Sequence, residues 1–281
     1  MKEKITLLFL LFSLSFFAQE EFLTHYEIQY EVEYSLDSTD LDNKTKETVY
    51  LYTGAETGVF MNFNFAHQEE IEADYEEQMR KQRGLSTTSY RDNISRPTNF
   101  KILFFKDLKS DSILTVAALA YHQFLYQEPE IPQWELQDST KTYEKYLVQK
   151  AKTHFAGRDY TAWFSPEIPI PDGPYVFKGL PGLIVELYDS QNHYHFKLLS
   201  VEKLEKPKKW NFPENLKNTT KEEFLKHREK EIELEVEDLF GLKGDETKII
   251  VTVKGREVSK GEYRKILRDR KRKKNNPIEI H

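Results

Sequence analysis

Apolar and polar residues alternate strictly in the part of the chain that follows residue 24. The apolar positions are Tyr26, Ile28, Tyr30, Val32, Tyr34 and Leu36, and the polar positions between them are His25, Glu27, Gln29, Glu31 and Glu33. Side chains two residues apart point to the same face of an extended chain. The pattern therefore predicts a half-buried strand of an antiparallel sheet.

Shorter runs of β-branched and aromatic residues predict further strands. They lie on both sides of Gly54–Gly58, around Ile102–Phe105, around Ile113–Val116, within 134–164 as a strand and a hairpin, and within 247–255. Leu183–Tyr188 and His193–Val201 flank the tetrapeptide DSQN, which is typical of a hairpin turn. The strands outnumber every other predicted element.

Three segments have helical composition. Residues 67–81 are charged and lack glycine and proline, Thr219 or Thr220 stands three places before Glu222 or Glu223 in a capping-box pattern, and 259–274 is a basic stretch. A polar loop is predicted at 82–98. The fold class that follows is α+β and β-rich: a curved antiparallel sheet, with a half-barrel as one form, two or three helices, and a long Pro/Gly loop.

That loop lies in the middle of the chain. Residues 166–181 contain five prolines, and the stretch GPYVFKGLPGLIVEL at 173–187 has a single basic residue, Lys178. Proline lacks an N–H group, so neither a helix nor a central strand can continue through this segment. Pro181 and Gly182 fit the two middle positions of a type II turn. A stiff apolar loop either covers the protein's own core or presents a docking surface to a partner.

The residues that would carry either role belong to this loop and its flanks. They are Trp163, Pro174, Phe177, Gly179, Leu180, Pro181, Gly182, Leu183 and Ile184. Arg158 is expected to form an ion pair with Glu167 or Asp172.

The composition and charge of the chain indicate the cellular compartment in which the protein resides. Residues 1–18 combine Lys2 and Lys4 with an apolar run, which predicts a cleaved signal peptide, and the chain has no cysteine for a lipid anchor or a disulfide. The predicted organisation is a signal peptide at 1–18, one β-rich domain at 19–262 and a basic tail at 263–281. The tail carries eight basic residues and one acid within 264–274. It is expected to be solvated or to contact anionic envelope lipid or an acidic partner, but not nucleic acid, because an exported protein rarely meets any.

Three long stretches resemble the GLPGLI family of exported Bacteroidota proteins. They are GRDYTAWFSPEIPIPDGPYVFKGLPGLIVEL at 157–187, WELQDSTKTYEKYLVQKA at 134–151, and NNPIEI at 275–280. The resemblance departs at Val148, where family members commonly carry a cysteine. It implies a cell-envelope protein, periplasmic or associated with the outer membrane, in a family whose biochemical function is not established and whose members are thought to accompany outer-membrane transporters.

A search of the sequence for catalytic and metal-binding motifs gives little support to the hypothesis that the protein is an enzyme. No Walker loop, Rossmann fingerprint or serine nucleophile elbow occurs, and no cofactor is expected. His193 and His195 would share one face of a strand and could bind a metal with His154 as a third ligand. No motif spacing supports that site.

Three hypotheses remain open from the sequence. The first is a non-catalytic envelope protein, a binding or accessory module of an outer-membrane transport system. The second is a periplasmic carrier of an apolar ligand. The third is a hydrolase that uses a metal, or acids and bases, from the histidines and nearby carboxylates.

Overall fold

The structure is a computed structural model that describes residues 22–81, 98–120, 122–233, 235–236, 252–253 and 256–279. The predicted signal peptide, residues 82–97 of the predicted polar loop, and most of the predicted strand at 247–255 lie outside the described residues.

Strands dominate the described part of the chain. Those of the main sheet are β1 (Phe22–Ser35), β2 (Lys44–Thr53), β3 (Thr57–Asn62), β4 (Ile102–Asp107), β5 (Ile113–Leu119), β6 (His122–Gln127), β7 (Glu135–Tyr143), β8 (Tyr146–Phe155), β9 (Arg158–Ser165), β10 (Leu183–Asp189), β11 (Tyr194–Trp210) and β12 (Lys217–Asn218). A separate two-stranded ribbon consists of β13 (Thr252–Val253) and β14 (Arg256–Glu257). The helices are α1 (Phe63–Ala66), α2 (Gln68–Lys81), α3 (Lys221–Glu229) and α4 (Lys260–Arg272).

The twelve strands form one open, curved sheet in the order β12-β6-β5-β4-β3-β2-β1-β11-β10-β9-β8-β7. All neighbours are antiparallel except the short β12, which runs parallel to β6. The long β1 and β11 pair with each other at the centre and join the two halves of the sheet. The predicted β-rich class with an antiparallel sheet is therefore confirmed.

The alternation in β1 determines which side of it packs inward. Ile28, Tyr30, Val32 and Tyr34 are fully buried, whereas Glu31 and Glu33 between them remain partly exposed. The neighbouring β2 buries both of its faces, because Leu51 belongs to the main core and Tyr50 to a second core. The second core lies on the other face of the sheet and is covered by Phe63 and other residues of α1 and of 210–216.

The helix starts follow local capping chemistry. Thr220 caps α3, its hydroxyl accepting from the Glu223 N–H while the Glu223 carboxylate accepts from the Thr220 N–H, as the sequence predicts. Ser259 and Glu262 make the same box at α4. The one-turn helix α1 was not predicted; it begins where Asn62 accepts a hydrogen bond from the Phe65 N–H.

No helix in the described ranges is long and apolar enough to cross a bilayer.

Candidate functional site

The Pro/Gly segment, residues 166–182, connects the paired ends of β9 and β10. Its apolar side chains face inward: Tyr175, Val176, Phe177 and Leu180 are 4%, 0%, 0% and 1% exposed. Phe177 packs against the Tyr160 ring at a centroid distance of 4.7 Å. The segment therefore covers the main core, as the first of the two sequence-based alternatives expects.

The other predicted residues of the segment and its flanks divide between core and surface. Trp163, Pro174, Leu183 and Ile184 are buried, and the Ile184 carbonyl accepts a 2.7 Å hydrogen bond from the Tyr30 hydroxyl. Gly179 and Pro181 are exposed at the tip. The four buried residues thus form part of the core, whereas Gly179 and Pro181 form the exposed tip of the segment.

A buried ion pair fastens the segment to the sheet. Lys106 Nζ on β4 lies 2.6 Å from Asp172 Oδ1, and both side chains are 0% exposed. The ammonium also donates to the Gly173 carbonyl at 2.6 Å, and Asp172 accepts from Thr53 Oγ1 at 3.0 Å and from the Gly173 N–H at 2.8 Å. Burial lowers the pKa of Lys106, and the attraction of Asp172 opposes that shift without cancelling it.

Lys178, the single basic residue of the stretch, has a similar anchoring role. Its ammonium donates to the backbone carbonyls of Asp107 and Ser110, at 2.9 and 2.6 Å, in the turn between β4 and β5. Burial lowers its pKa, while nearby carboxylates, first of all Asp111, oppose the shift. The lysine is therefore held in place by the protein itself.

The turn at Pro181 and Gly182 differs from the predicted type II turn. The Gly182 N–H donates to the Leu180 carbonyl at 2.7 Å, which closes a three-residue turn around Pro181. Gly182 has a φ of +152°, and a Cβ there would lie 2.1 Å from the Ser165 carbonyl oxygen. Only glycine fits, because the chain passes so close to the end of β9.

The predicted ion pair of Arg158 with Glu167 or Asp172 is wrong. The Arg158 guanidinium lies 2.7 Å from Asp189 Oδ2, and both side chains are buried. Arg158 opens β9 and Asp189 closes the adjacent β10, so sheet pairing brings them to the same end of the two strands. Asp172 is already bound to Lys106, and Glu167 is exposed.

The same arginine binds the end of the described chain. Its Nη2 donates to Asn276 Oδ1 at 2.6 Å and to the Pro277 carbonyl at 2.7 Å. Tyr194 and Tyr160 donate to the carbonyls of Asn276 and Ile278, at 2.7 and 2.9 Å. The basic residues of 264–274 are mostly exposed, whereas 276–279 pack onto the sheet and help to form a cleft.

The three histidines proposed as metal ligands have separate partners. His193 lies in the turn before β11, with Nδ1 at 3.2 Å from Arg158 Nη1. His154 contacts Asp159 at 2.7 Å on the surface, and His195 contacts Glu186 at 2.9 Å. Within the described residues no group of three or more His, Cys, Asp or Glu is arranged to hold a metal ion.

Glu186 lies at the centre of a polar cluster on β7, β10 and β11. Lys141 Nζ and His195 Nε2 lie 2.5 and 2.9 Å from its two oxygens. Burial alone would raise the pKa of Glu186, but these hydrogen bonds outweigh it and lower the pKa to about 2. Lys141 also lies 4.3 Å above the Trp163 ring. The carboxylate is therefore kept charged by its neighbours.

A cleft of 320 Å³ opens between the sheet, α3 and the C-terminal segment. Its walls combine aromatic and apolar side chains with charged ones. The aromatic and apolar lining includes Tyr34, Phe100, Ile102, Tyr126, Tyr175, Tyr194, Phe224, Leu225 and Ile278, and the charged lining consists of Lys101, Lys221, Arg228, Glu231, Lys274 and Glu279. We take this cleft as the candidate functional site.

One of the cleft's cations is already neutralised. Lys221 Nζ lies 2.6 Å from Glu128 and 2.8 Å from Glu279, and all three side chains are largely buried. Burial would lower the pKa of Lys221, but the two carboxylates outweigh it and raise the pKa. Glu279 in turn accepts a 2.7 Å hydrogen bond from Tyr175. This network joins α3, the C-terminal segment and the Pro/Gly segment.

Sequence reasoning missed the cleft because its residues come from many elements, among them β1, β4, β5, β6, β11, α3, the Pro/Gly segment and the C-terminal segment. The one available signal was the motif NNPIEI at 275–280, whose proline and lack of basic charge set it apart from the basic stretch before it. Such a motif suggests a docked segment, but it does not say onto which surface.

One segment of the chain matches the model of a sequence family. A family model described as "Protein of unknown function (Porph_ging)" matches residues 157–186, which run from the start of β9 through the Pro/Gly segment into β10. The family is uncharacterised and found in Bacteroidota such as Porphyromonas. A search of curated proteins finds no significant match.

Among solved structures, two crystal forms of PNGF-II are similar to this chain. They have TM-scores of 0.48 and 0.45, with 13% sequence identity in each case, and the alignments cover 72% and 70% of this chain. The aligned region is 32% and 31% of the PNGF-II chains, so this chain corresponds to about a third of their length.

Proposed function

We propose that this protein is a non-catalytic binding module whose ligand site is the cleft between the sheet, α3 and the C-terminal segment. The observation that carries the proposal is the cleft itself, whose apolar and aromatic walls enclose 320 Å³. Small-molecule sites are mostly apolar concavities of roughly 300–1,000 Å³ with a few polar groups. The cleft is at the small end of that range.

The burial of the Pro/Gly segment supports this choice of site. Because Phe177 and Leu180 are at most 1% exposed, they are not available to dock a partner without unfolding part of the core. Two of the segment's three charged groups are also occupied, Asp172 by Lys106 and Lys178 by two backbone carbonyls, while Glu167 is exposed. The segment also contributes Tyr175 to the wall of the cleft.

Equilibrium binding of N-phenyl-1-naphthylamine, an uncharged aromatic probe, tests the proposal. The probe is expected to bind with one site per chain and to fluoresce more strongly. Leu225→Trp fills the cleft from α3 and should weaken binding by about tenfold or more. Leu199→Trp, at a position 52% exposed on β11, is the matched control and should leave binding unchanged. Equal binding by both variants would contradict the assignment of the site.

The cellular setting is a separate part of the proposal. An accessory role beside an outer-membrane transport system is supported by the resemblance to exported Bacteroidota proteins. Affinity capture from envelope extract, using the tagged chain without residues 1–18, is the direct test. Recovery of no reproducible outer-membrane protein would remove this setting and leave the ligand-binding proposal standing.

A further inference from the structure

Three cations of the cleft come from separate parts of the fold. Lys101 precedes β4, Arg228 lies in the last turn of α3, and Lys274 follows α4. The nearby acids do not fully balance the cations. With Lys221 the lining holds four cations, against Glu231, Glu279 and the Glu128 that pairs with Lys221, which leaves one positive charge in excess. A chain with a net charge of −6 thus builds a locally positive cleft.

Lys274 is held at the cleft and is repelled by other cations. Its ammonium donates to Asn99 Oδ1 at 2.8 Å, which fixes its position at the cleft. Partial burial, followed by repulsion from Lys101, lowers its pKa, and Arg270 adds to the repulsion while Glu231 opposes it. A bound anion would relieve this repulsion.

The aromatic residues of the cleft would contact a ligand through their rings, because their hydroxyl groups are already hydrogen-bonded within the protein. The hydroxyls of Tyr175 and Tyr194 are committed to Glu279 and to the Asn276 carbonyl, each at 2.7 Å. Tyr126 and Phe224 pack together with their ring centroids 5.2 Å apart, and Tyr34 stacks on Tyr194 at 5.7 Å. The apolar body of a ligand would therefore meet rings, and its charged group would meet the cations.

We infer that the cleft binds a small organic anion with an aromatic or other apolar body, the anionic group lying among Lys101, Arg228 and Lys274. This inference rests on the proposed function and adds the chemical class of the ligand. The cations come from three segments and are set against a mainly apolar wall, an arrangement suited to a carboxylate or sulfonate attached to a ring.

A matched pair of probes tests the inference. The compound 8-anilinonaphthalene-1-sulfonate has the ring skeleton of N-phenyl-1-naphthylamine with one added sulfonate. We expect the anionic probe to bind about tenfold more tightly than the neutral one, since the sulfonate adds charge-assisted hydrogen bonds that the neutral probe cannot make. Added salt should weaken binding of the anionic probe and leave the neutral probe unaffected.

Substitutions of the cleft's lysines then show where the sulfonate of the anionic probe binds. The double variant Lys101→Gln, Lys274→Gln should weaken binding of the anionic probe by about tenfold, because both charges are removed. Its affinity for the neutral probe should be unchanged. Unchanged neutral binding also shows that the variant is folded. Lys274→Arg keeps the charge and should retain binding, and Lys260→Gln, at an exposed position on α4, is the control.

The outcomes separate this inference from the proposed function. If both probes bind equally and the glutamine variants change neither, the anion preference is wrong while the cleft remains a binding site. If neither probe binds, or if Leu225→Trp leaves the binding of both probes unchanged, the cleft is not the binding site and the proposed function itself is wrong. Tighter anionic binding that both salt and the double variant abolish supports the inference.

Discussion

Lys106 and Asp172 form an ion pair of 2.6 Å with both side chains withdrawn completely from solvent. The pair joins a central strand to the Pro/Gly segment across 66 positions of sequence. The backbone at Gly58 passes so close that a Cβ there would lie 2.0 Å from Asp172 Oδ2. This ion pair is thus a fully buried charged contact that fixes the segment to the sheet, in addition to the anchoring by Lys178.

Removing one partner of this pair should be strongly destabilising. Asp172→Ala leaves the Lys106 ammonium buried without its counterion, and such a change typically costs about 3–5 kcal/mol in the free energy of unfolding. Lys106→Met together with Asp172→Ala removes both charges and is expected to cost less than Lys106→Met and Asp172→Ala added together. Urea unfolding of the four proteins measures this coupling.

A surface pair provides the comparison. Lys226→Met removes the contact between Lys226 and Glu222 on the exposed face of α3, and it should change stability far less. Additive costs of the two buried substitutions would mean that Lys106 and Asp172 do not stabilise each other, and the anchoring role assigned to them would be lost.

Three glycines should respond differently to alanine. In Gly182→Ala the alanine would need a φ of +152°, and its Cβ would clash with the Ser165 carbonyl. In Gly179→Ala the alanine would need a φ of +90°, but its Cβ would lie in open space. The second change should cost about 1–2 kcal/mol from backbone strain alone, and the first should cost more. Gly261→Ala, in α4 with open space, should stabilise by about 0.4–1 kcal/mol. Thermal unfolding of the three variants gives the order; equal costs at 179 and 182 would refute the close approach.

Local features of the fold could be predicted from the sequence because their causes are local. The alternation in β1, the capping box at Thr220 and the break imposed by five prolines each depend on residues a few positions apart. The partners of Arg158 and Asp172 could not be predicted. Several acids lie near Arg158 in sequence, and only strand pairing selects Asp189, whereas Lys106 lies 66 positions from Asp172. The cleft combines residues from Tyr34 to Glu279, and a local signal exists for its C-terminal part alone, the motif at 275–280.

Arg158 and Asn276 should be energetically coupled. The guanidinium contacts the Asn276 side chain at 2.6 Å, and the Asn276 amide donates to the Ser35 carbonyl at 2.7 Å, so each residue positions the other. Arg158→Met and Asn276→Ala are each expected to destabilise the protein, with an interaction energy of about 0.5–3 kcal/mol between them. A double-mutant cycle by urea unfolding measures it.

The matched control for this cycle is Arg256→Met, which removes an arginine from an exposed pair with Glu262. Combined with Asn276→Ala it should show additive costs, because the two sites share no partner. Additivity in the Arg158 cycle as well would mean that the C-terminal segment is held by its tyrosine contacts without the arginine.

Glu186 should make stability depend on pH in the acidic range. Its pKa is lowered to about 2 in the folded protein, against about 4.3 in an unfolded chain. Because the folded-state pKa is the lower one, the stabilisation is fully present above pH ~5 and is lost as the pH falls from about 4.3 towards about 2. Allowing for solvent screening of a half-buried group, the effect should be about 1–2 kcal/mol.

Comparing Glu186→Gln with the unchanged protein isolates this contribution. The difference between their free energies of unfolding should be greatest at neutral pH and should shrink steadily between pH ~5 and pH ~2, since protonation then removes the same charge from the unchanged protein. Glu167→Gln removes an exposed carboxylate without touching Lys141 or His195 and serves as the control. A difference that stays constant down to pH ~2 would show that Lys141 and His195 do not stabilise the charged carboxylate, because a lowered folded-state pKa requires the difference to fall as the carboxylate is protonated.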